Sequence, residues 1–435
     1  MDILISNANI LMMDNDKYIE NGYVAINDEK IAYVGETKPE GDFKEVINGA
    51  GHLVMPGLHN IHTHLPMSAM RGYADEYDLQ SWLHKMVFPV EAKHDEKTVY
   101  LSTLLGIADS IAHGTVSVKE MYFKLDQIGK AVYESGIKAN ISNGATVFDK
   151  ASYTFDSLNS TNETNQFLKT WHNCDGGRIK LDMSIHAEYT SFDKVWLDHA
   201  EFAKSNDLLM HVHVSETLKE HIECKERNGG LTPVQVLDKY HVFDTRATAA
   251  HCVFVEKSDM DILRERDAVI AHNPISNLKL GSGIAPLCDM ISNGVRVGIG
   301  TDGVCSNNSH DMFEEIKTAV LLQKGTTHNP AIISSRKGVE LATINGAYAQ
   351  GRENESGMIK VGMDADIIMI DLNKPNLYPV HDIYSTIVYS MRGLDVVMNM
   401  VKGKILYYKN EFKTIDIEKM MYEIKSYVMP KLFGK

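Results

Sequence analysis

Pro56-Gly-Leu-His-Asn-Ile-His-Thr-His64 decides how this chain is read. An apolar lead-in, Leu53-Val-Met55, enters a Pro-Gly pair and then three histidines. Side chains alternate along a strand, so His62 and His64 share a face. Two imidazoles on one face at a strand end make half of a metal site. With 19 histidines in the chain, chance supplies about one such pair, and His211 with His213 is a second. The motif gains meaning only if other ligands close matching strands downstream.

Working outward from the motif, residues 54–301 alternate between apolar strand-like runs and helical periods. Strands are expected over 54–64, 115–120, 137–143, 179–186, 208–214, 247–251, 268–272 and 295–301. Helices are expected over 98–112, 125–134, 163–171, 192–205, 233–239, 258–265, 286–292 and 310–323, with a further one over 336–349. Eight alternating pairs are the count of a (β/α)8 barrel. Residues 3–54 instead show short strands with turn signals, and β texture returns at 357–371 and 396–408. The predicted architecture is therefore α/β: a metal-dependent (β/α)8 TIM-like barrel over 55–356, inserted in a small β-sandwich built from 1–54 and 357–435. The last apolar period, over 417–428, reads as a helix docked on the body.

Barrel active sites lie at the C-terminal ends of the strands. The polar residues at those ends are His62 and His64, Glu120, His186, His213 with Glu216, His251, His272 and Asp302. His62, His64, His213 and Asp302 offer three imidazoles and one carboxylate, a set suited to zinc or iron(II). Asp302 sits in Gly298-Ile-Gly-Thr-Asp-Gly303, where small residues let backbone pack behind the carboxylate. Glu216, three residues past His213, stands where it can shuttle a proton without ligating the metal. His251 can hold the same water. His272, His211 and His59 read as core or supporting groups.

Composition narrows the partners. A net charge of -14 argues against nucleic acid and anionic membrane surfaces. No apolar run approaches the length of a spanning helix. Five scattered cysteines without a Cys-x-x-Cys fit neither a disulfide framework nor a thiolate metal site, and reduced thiols point to the cytoplasm. The N-terminus shows no signal-peptide pattern. Barrels of this size often self-associate, so a homo-oligomer is compatible with the sequence.

The chain resembles the amidohydrolase superfamily, and within it the 5-methylthioadenosine/S-adenosylhomocysteine deaminases. The matching stretches are residues 55–67, Trp82-Leu, Phe88-Pro-Val-Glu91, Ser184-Ile-His-Ala-Glu-Tyr-Thr-Ser191, His213-Val-Ser-Glu-Thr217, Ala250-His-Cys-Val253, 272–281 and Gly300-Thr-Asp-Gly303 through Ser309. The resemblance implies one zinc on His62, His64, His213 and Asp302. It implies that Asp302 takes a proton from the metal water, that Glu216 protonates a purine ring nitrogen, and that His251 steadies the attacking hydroxide. Glu91 resembles the family's ribose-binding glutamate, His186 another substrate contact, and Trp82 a pocket wall. The implied reaction is zinc-dependent deamination of 5-methylthioadenosine, S-adenosylhomocysteine or adenosine to the inosine analogue and ammonia. The partner that the resemblance implies is thus a small nucleoside.

One departure stands out. The family's carboxylate-binding arginine, expected after strand three, has no counterpart between Arg71 and Arg178, where Lys150 is the candidate substitute. A lysine is a point charge and not a bidentate fork, so uncharged nucleosides are expected to be handled at least as well as S-adenosylhomocysteine. The alternatives are a superfamily relative acting on guanine, cytosine or s-triazine, and a non-catalytic barrel that binds without reacting.

Overall fold

In the computed structural model, which describes residues 1–15 and 17–434, the run expected as one strand over 54–64 is two. His52–Pro56 lies between Ile3–Leu11 and Ile367–Asp371 in the β-rich part. Leu58–Thr63 opens the barrel beside Thr115–Met121. The hinge is Gly57, where a Cβ would lie 2.1 Å from Val116. Only glycine lets the backbone cross that close.

The barrel continues through Lys138–Ser142, Ile179–Leu181 with Met183–Ala187, Met210–Val214, Ala247–His251, Val269–His272 and Arg296–Ile299. The neighbouring pairs are parallel. Closure brings strand eight back to strand one: Thr63 bridges Asp302, and the Asp302 N–H donates to His62 O at 3.0 Å. The expected strand four is broken at Asp182, its first half pairing with strand three and its second with strand five. Asp182 meets Lys119 Nζ at 2.9 Å and accepts from Asn140 at 2.9 Å inside the barrel. Lys119 also donates to Thr248 and to Ala349 O, so this buried charge is fully paired.

The helices depart from expectation in three places. Leu218–Arg227 and Pro274–Lys279 follow strands five and seven unannounced. The single helix expected over 336–349 divides at Thr343 into Ser335–Ala342 and Ile344–Ala349. The division lets Gly346 press against His59, where a Cβ would lie 2.5 Å from the His59 Cβ. His59 is held there by Gln350 and Ser356 at 2.8 and 2.9 Å, a supporting role as expected.

The sandwich expected from the two chain ends takes the form of one nine-stranded sheet. Its two edge regions meet: Gly403, in the turn after Val396–Val401, has its Cβ direction 2.5 Å from Asp28 O, and Lys402 Nζ is 2.8 Å from Glu29. The sheet therefore folds over its own apolar core, to which Ile5, Val24, Ile367 and Met398 contribute. Lys138, at the start of barrel strand three, is buried against Asp364 and Asp366 at 2.6 and 2.5 Å and ties sheet to barrel.

Short helical turns over 65–91 cover the C-terminal end of the barrel, including a π-helical turn at Trp82–Val87. The terminal helix, Ile417–Glu423 continuing to Phe433, docks beside them as expected. Tyr427 donates to Asp95 at 2.7 Å, and Lys93 to Leu432 O at 2.8 Å. Among the described residues no helix is long and apolar enough to cross a membrane.

Candidate active site

The barrel brings His62, His64, His213 and Asp302 together with their donor atoms within 4.8 Å of one another. Asp302 Oδ1 lies 3.2 Å from His62 Nε2 and 3.1 Å from His64 Nε2, and His213 Nε2 is 3.3 Å from His64 Nε2. The opposite ring nitrogens are occupied. His64 Nδ1 donates to Met121 O at 2.6 Å and His213 Nδ1 to His186 O at 2.8 Å, which turns Nε2 of each toward the centre. His62 Nδ1 is 2.9 Å from His211 Nε2, and its Nε2 is buried without a hydrogen bond. Asp302 Oδ2 accepts from Ser276 and Ser306 at 2.7 and 2.9 Å.

Three nitrogens and one carboxylate oxygen in a buried site fit a zinc or iron(II) ion. Electrostatics favour the neutral, ligating form for two of the three imidazoles. Burial pushes His62 down to about 3 and His213 well below its usual value. Burial opposes protonation of His64 too, but the Asp302 carboxylate outweighs it and lifts His64 to about 9, so a bound cation would displace a proton from its Nε2. Asp302 itself sits at φ 60, in the left-handed region that non-glycine residues avoid. The close packing foreseen from the neighbouring glycines is present: a Cβ on Gly300 would lie 2.8 Å from the His62 Cβ, and one on Gly303 3.2 Å from the His64 Cβ.

Glu216 and His251 stand beside this cluster. His251 Nε2 is 3.8 Å from Glu216 Oε2, and its Nδ1 donates to Asn277 Oδ1 at 2.8 Å. Glu216 Oε1 accepts from Ser282 at 3.3 Å. Burial raises the Glu216 carboxyl above its usual range. His251 and Cys252 lie at φ 73 and 48, backbone strain of the kind that gathers at functional sites.

The remaining sequence candidates, Trp82, Glu91 and His186, line one cleft together with His64, His213, Glu216, His251 and Asp302. Leu83, Phe88, Phe123 and Leu280 supply apolar walls, and Tyr122 stands behind Glu91. Burial raises the Glu91 carboxyl, while the Tyr122 hydroxyl beside it works the other way. Glu120 and His272 are buried and do not line the cleft. Glu120 instead accepts from Thr63 Oγ1 and Leu65 N at 2.6 and 2.8 Å, fixing the turn that carries His64. Lys150 does not reach the cleft: its ammonium sits 5.0 Å over the Phe192 ring. His211, read from sequence as a core group, is the side chain that holds His62. Ser276, Asn277, Ser282 and Ser306 escaped the sequence reading, although Ser276, Asn277 and Ser306 fall inside its matching stretches.

A closed barrel with a three-histidine, one-aspartate centre at the strand ends defines a metal-dependent hydrolase. The Amidohydrolase family model matches residues 53–406, and the chain belongs to the amidohydrolase family. It is 42% identical to the 5-methylthioadenosine/S-adenosylhomocysteine deaminase of Dictyoglomus thermophilum, over 97% of each chain. It is also 42% identical to the 5'-deoxyadenosine deaminase of Methanosarcina acetivorans, over 98% of this chain and 97% of that one. Among solved structures, an adenosine deaminase from Xanthomonas campestris with bound zinc superposes with a TM-score of 0.93 at 28% identity, covering 99% and 98% of the two chains.

Proposed function

We propose that this protein deaminates adenosine-type nucleosides hydrolytically, with 5-methylthioadenosine, 5'-deoxyadenosine and S-adenosylhomocysteine as the substrate class. The observation that carries the reading is the convergence of His62, His64, His213 and Asp302 beside a buried Glu216, in a cleft whose other wall bears Glu91. One zinc ion would be held by those four residues, and iron(II) meets the same donors. When bound, it supplies the Lewis acidity that makes water a nucleophile at neutral pH.

The chain's own groups do the rest. Asp302, steadied at Oδ2 by Ser276 and Ser306, takes the proton of the attacking water on the side facing His62 and His64. Burial keeps Glu216 protonated into a higher pH range, so it can give its proton to the ring nitrogen next to the amine-bearing carbon. That carbon then becomes tetrahedral without negative charge on nitrogen. His251, its Nδ1–H fixed on Asn277, presents Nε2 to the incoming hydroxyl. Proton return to the amine releases ammonia and leaves the inosine-type product. Glu91 accepts from the ribose hydroxyls, His186 adds a second contact, and Trp82 walls the pocket. Five free thiols fit a reducing cytoplasmic setting.

Zinc-loaded protein should convert the adenine chromophore of these nucleosides to that of hypoxanthine, with one ammonia released per turnover. If no adenosine-type nucleoside changes its ultraviolet spectrum, the reading is wrong.

A further inference from the structure

Glu220 does not line the cleft, yet it holds the residue that acts there. Helix Leu218–Arg227 starts on Thr217, whose hydroxyl oxygen accepts from the Glu220 N–H at 3.2 Å. In an ordinary capping box the carboxylate at this helix position returns to the amide of the capping residue. Here it reaches further back. Glu220 Oε1 accepts from the Ser215 N–H at 2.7 Å, and Oε2 from the Glu216 N–H at 2.8 Å. The two amides converge because Ser215 is left-handed, at φ 49, which shapes a small anion-binding nest. A serine does not adopt that conformation cheaply. Glu220 is 4% exposed, so its two oxygens are held largely out of bulk water.

We infer that Glu220 is a positioning residue for catalysis: its carboxylate clamps the Ser215–Glu216 turn so that the Glu216 carboxyl faces the reacting ring beside Ser282 and His251. The inference rests on the proposed role of Glu216. An isosteric amide cannot replace the clamp, because it offers one acceptor and turns an NH2 donor against the second N–H. Displacing a reacting group by about 1 Å costs on the order of 100-fold in rate.

The test is a double-mutant cycle on zinc-loaded full-length protein with 5-methylthioadenosine. Glu220→Gln should lower kcat by about 100-fold with zinc content unchanged. In a Glu216→Gln background the same substitution should cost less than about 3-fold, since the group it positions is already disabled. Glu220→Asp keeps both carboxyl oxygens but withdraws them by one methylene, and should show a smaller loss with the same dependence on background. It serves as the second arm if Glu220→Gln does not fold. Equal losses in both backgrounds would make Glu220 a general structural group and overturn the inference while leaving the deaminase reading intact. Full activity of Glu216→Gln alone would overturn both.

Discussion

His62 and His211 share a 2.9 Å contact between Nδ1 of the first and Nε2 of the second, so the innermost imidazole of the cluster is oriented by another histidine. His64 and His213 rest instead on main-chain carbonyls, which no substitution removes. For His62 to present a lone pair at Nε2, its proton must stay on Nδ1 and be donated to His211. His211→Ala leaves that proton without its acceptor in a fully buried place. Zinc affinity should fall by about 10- to 100-fold. Competition with a chelator of known strength reads this directly, without reference to turnover, and kcat should recover at saturating zinc. An unchanged dissociation constant would show that packing alone orients His62.

Under the proposed function, Glu91 would separate a nucleoside from a free base. Its carboxyl lines the cleft on the lid segment, away from the His62, His64, His213 and Asp302 donors. Removing a charged acceptor from two sugar hydroxyls should cost about 2–4 kcal/mol of transition-state binding. Glu91→Ala should therefore lower kcat/KM for adenosine-type nucleosides steeply, mostly through KM, with zinc binding intact. Undiminished activity on the best substrate would redirect the search to bases that carry no ribose.

What the sequence made legible was the set of residues that close strands. His62, His64, His213, His251 and Asp302 each follow an apolar run, and the barrel repeat assigns them to one mouth. Groups that act sideways were hidden. His211 looks like an ordinary interior residue until strands one and five are adjacent. Asp182 reads as one polar position in a continuous strand, and only its pairing with Lys119 explains the break there. Helix Leu218–Arg227 was missed because its pattern is inverted. It buries Glu220, His221 and Cys224 and leaves Leu218 and Ile222 52% and 47% exposed, so no apolar stripe announces it. The lid over 65–91 consists of turns too short to show a helical period.

Stability should depend on pH through His113. Its Nδ1 is 3.1 Å from Asp109 Oδ1, while Arg71 holds the other carboxylate oxygen at 2.7 Å. Burial alone would lower His113, but the Asp109 carboxylate outweighs it and raises His113 above its usual value. Burial would raise Asp109, and the neighbouring cations, His113 first, hold it below the usual carboxylate range. A raised histidine contributes fully below its unfolded pKa, about 6.5, and loses that contribution as pH climbs through the folded value. The depressed aspartate contributes above about pH 4 and loses it on acidification. The pair is thus worth most between about pH 4 and 6.5. The Tm difference between wild type and His113→Gln should be largest near pH 5.5 and shrink as pH rises through the raised value of His113. A difference that stays flat across that range in calorimetry would mean that His113 carries no charge in the fold.

Charge at the 5' end of the substrate should be a handicap. Among the described residues, no lysine or arginine lines the cleft. Lys150 is engaged over Phe192. In the outer recess that shares Leu83, Phe88 and Tyr189 with the cleft, Arg227 is already paired with Glu188 at 2.5 Å, and Lys219 lies 3.9 Å from Glu223. A homocysteine carboxylate would shed water there for little in return, whereas a methylthio or methyl group meets apolar walls. The kcat/KM for 5-methylthioadenosine and 5'-deoxyadenosine should exceed that for S-adenosylhomocysteine by about tenfold or more. Phe148, 70% exposed on the recess and located after barrel strand three, is the place to restore a cation. Phe148→Arg should raise S-adenosylhomocysteine relative to the neutral substrates by no more than about 5-fold, because an exposed ion pair is worth about 1 kcal/mol at most. If S-adenosylhomocysteine is the best wild-type substrate, some cation reaches the cleft that this arrangement of side chains keeps out of it.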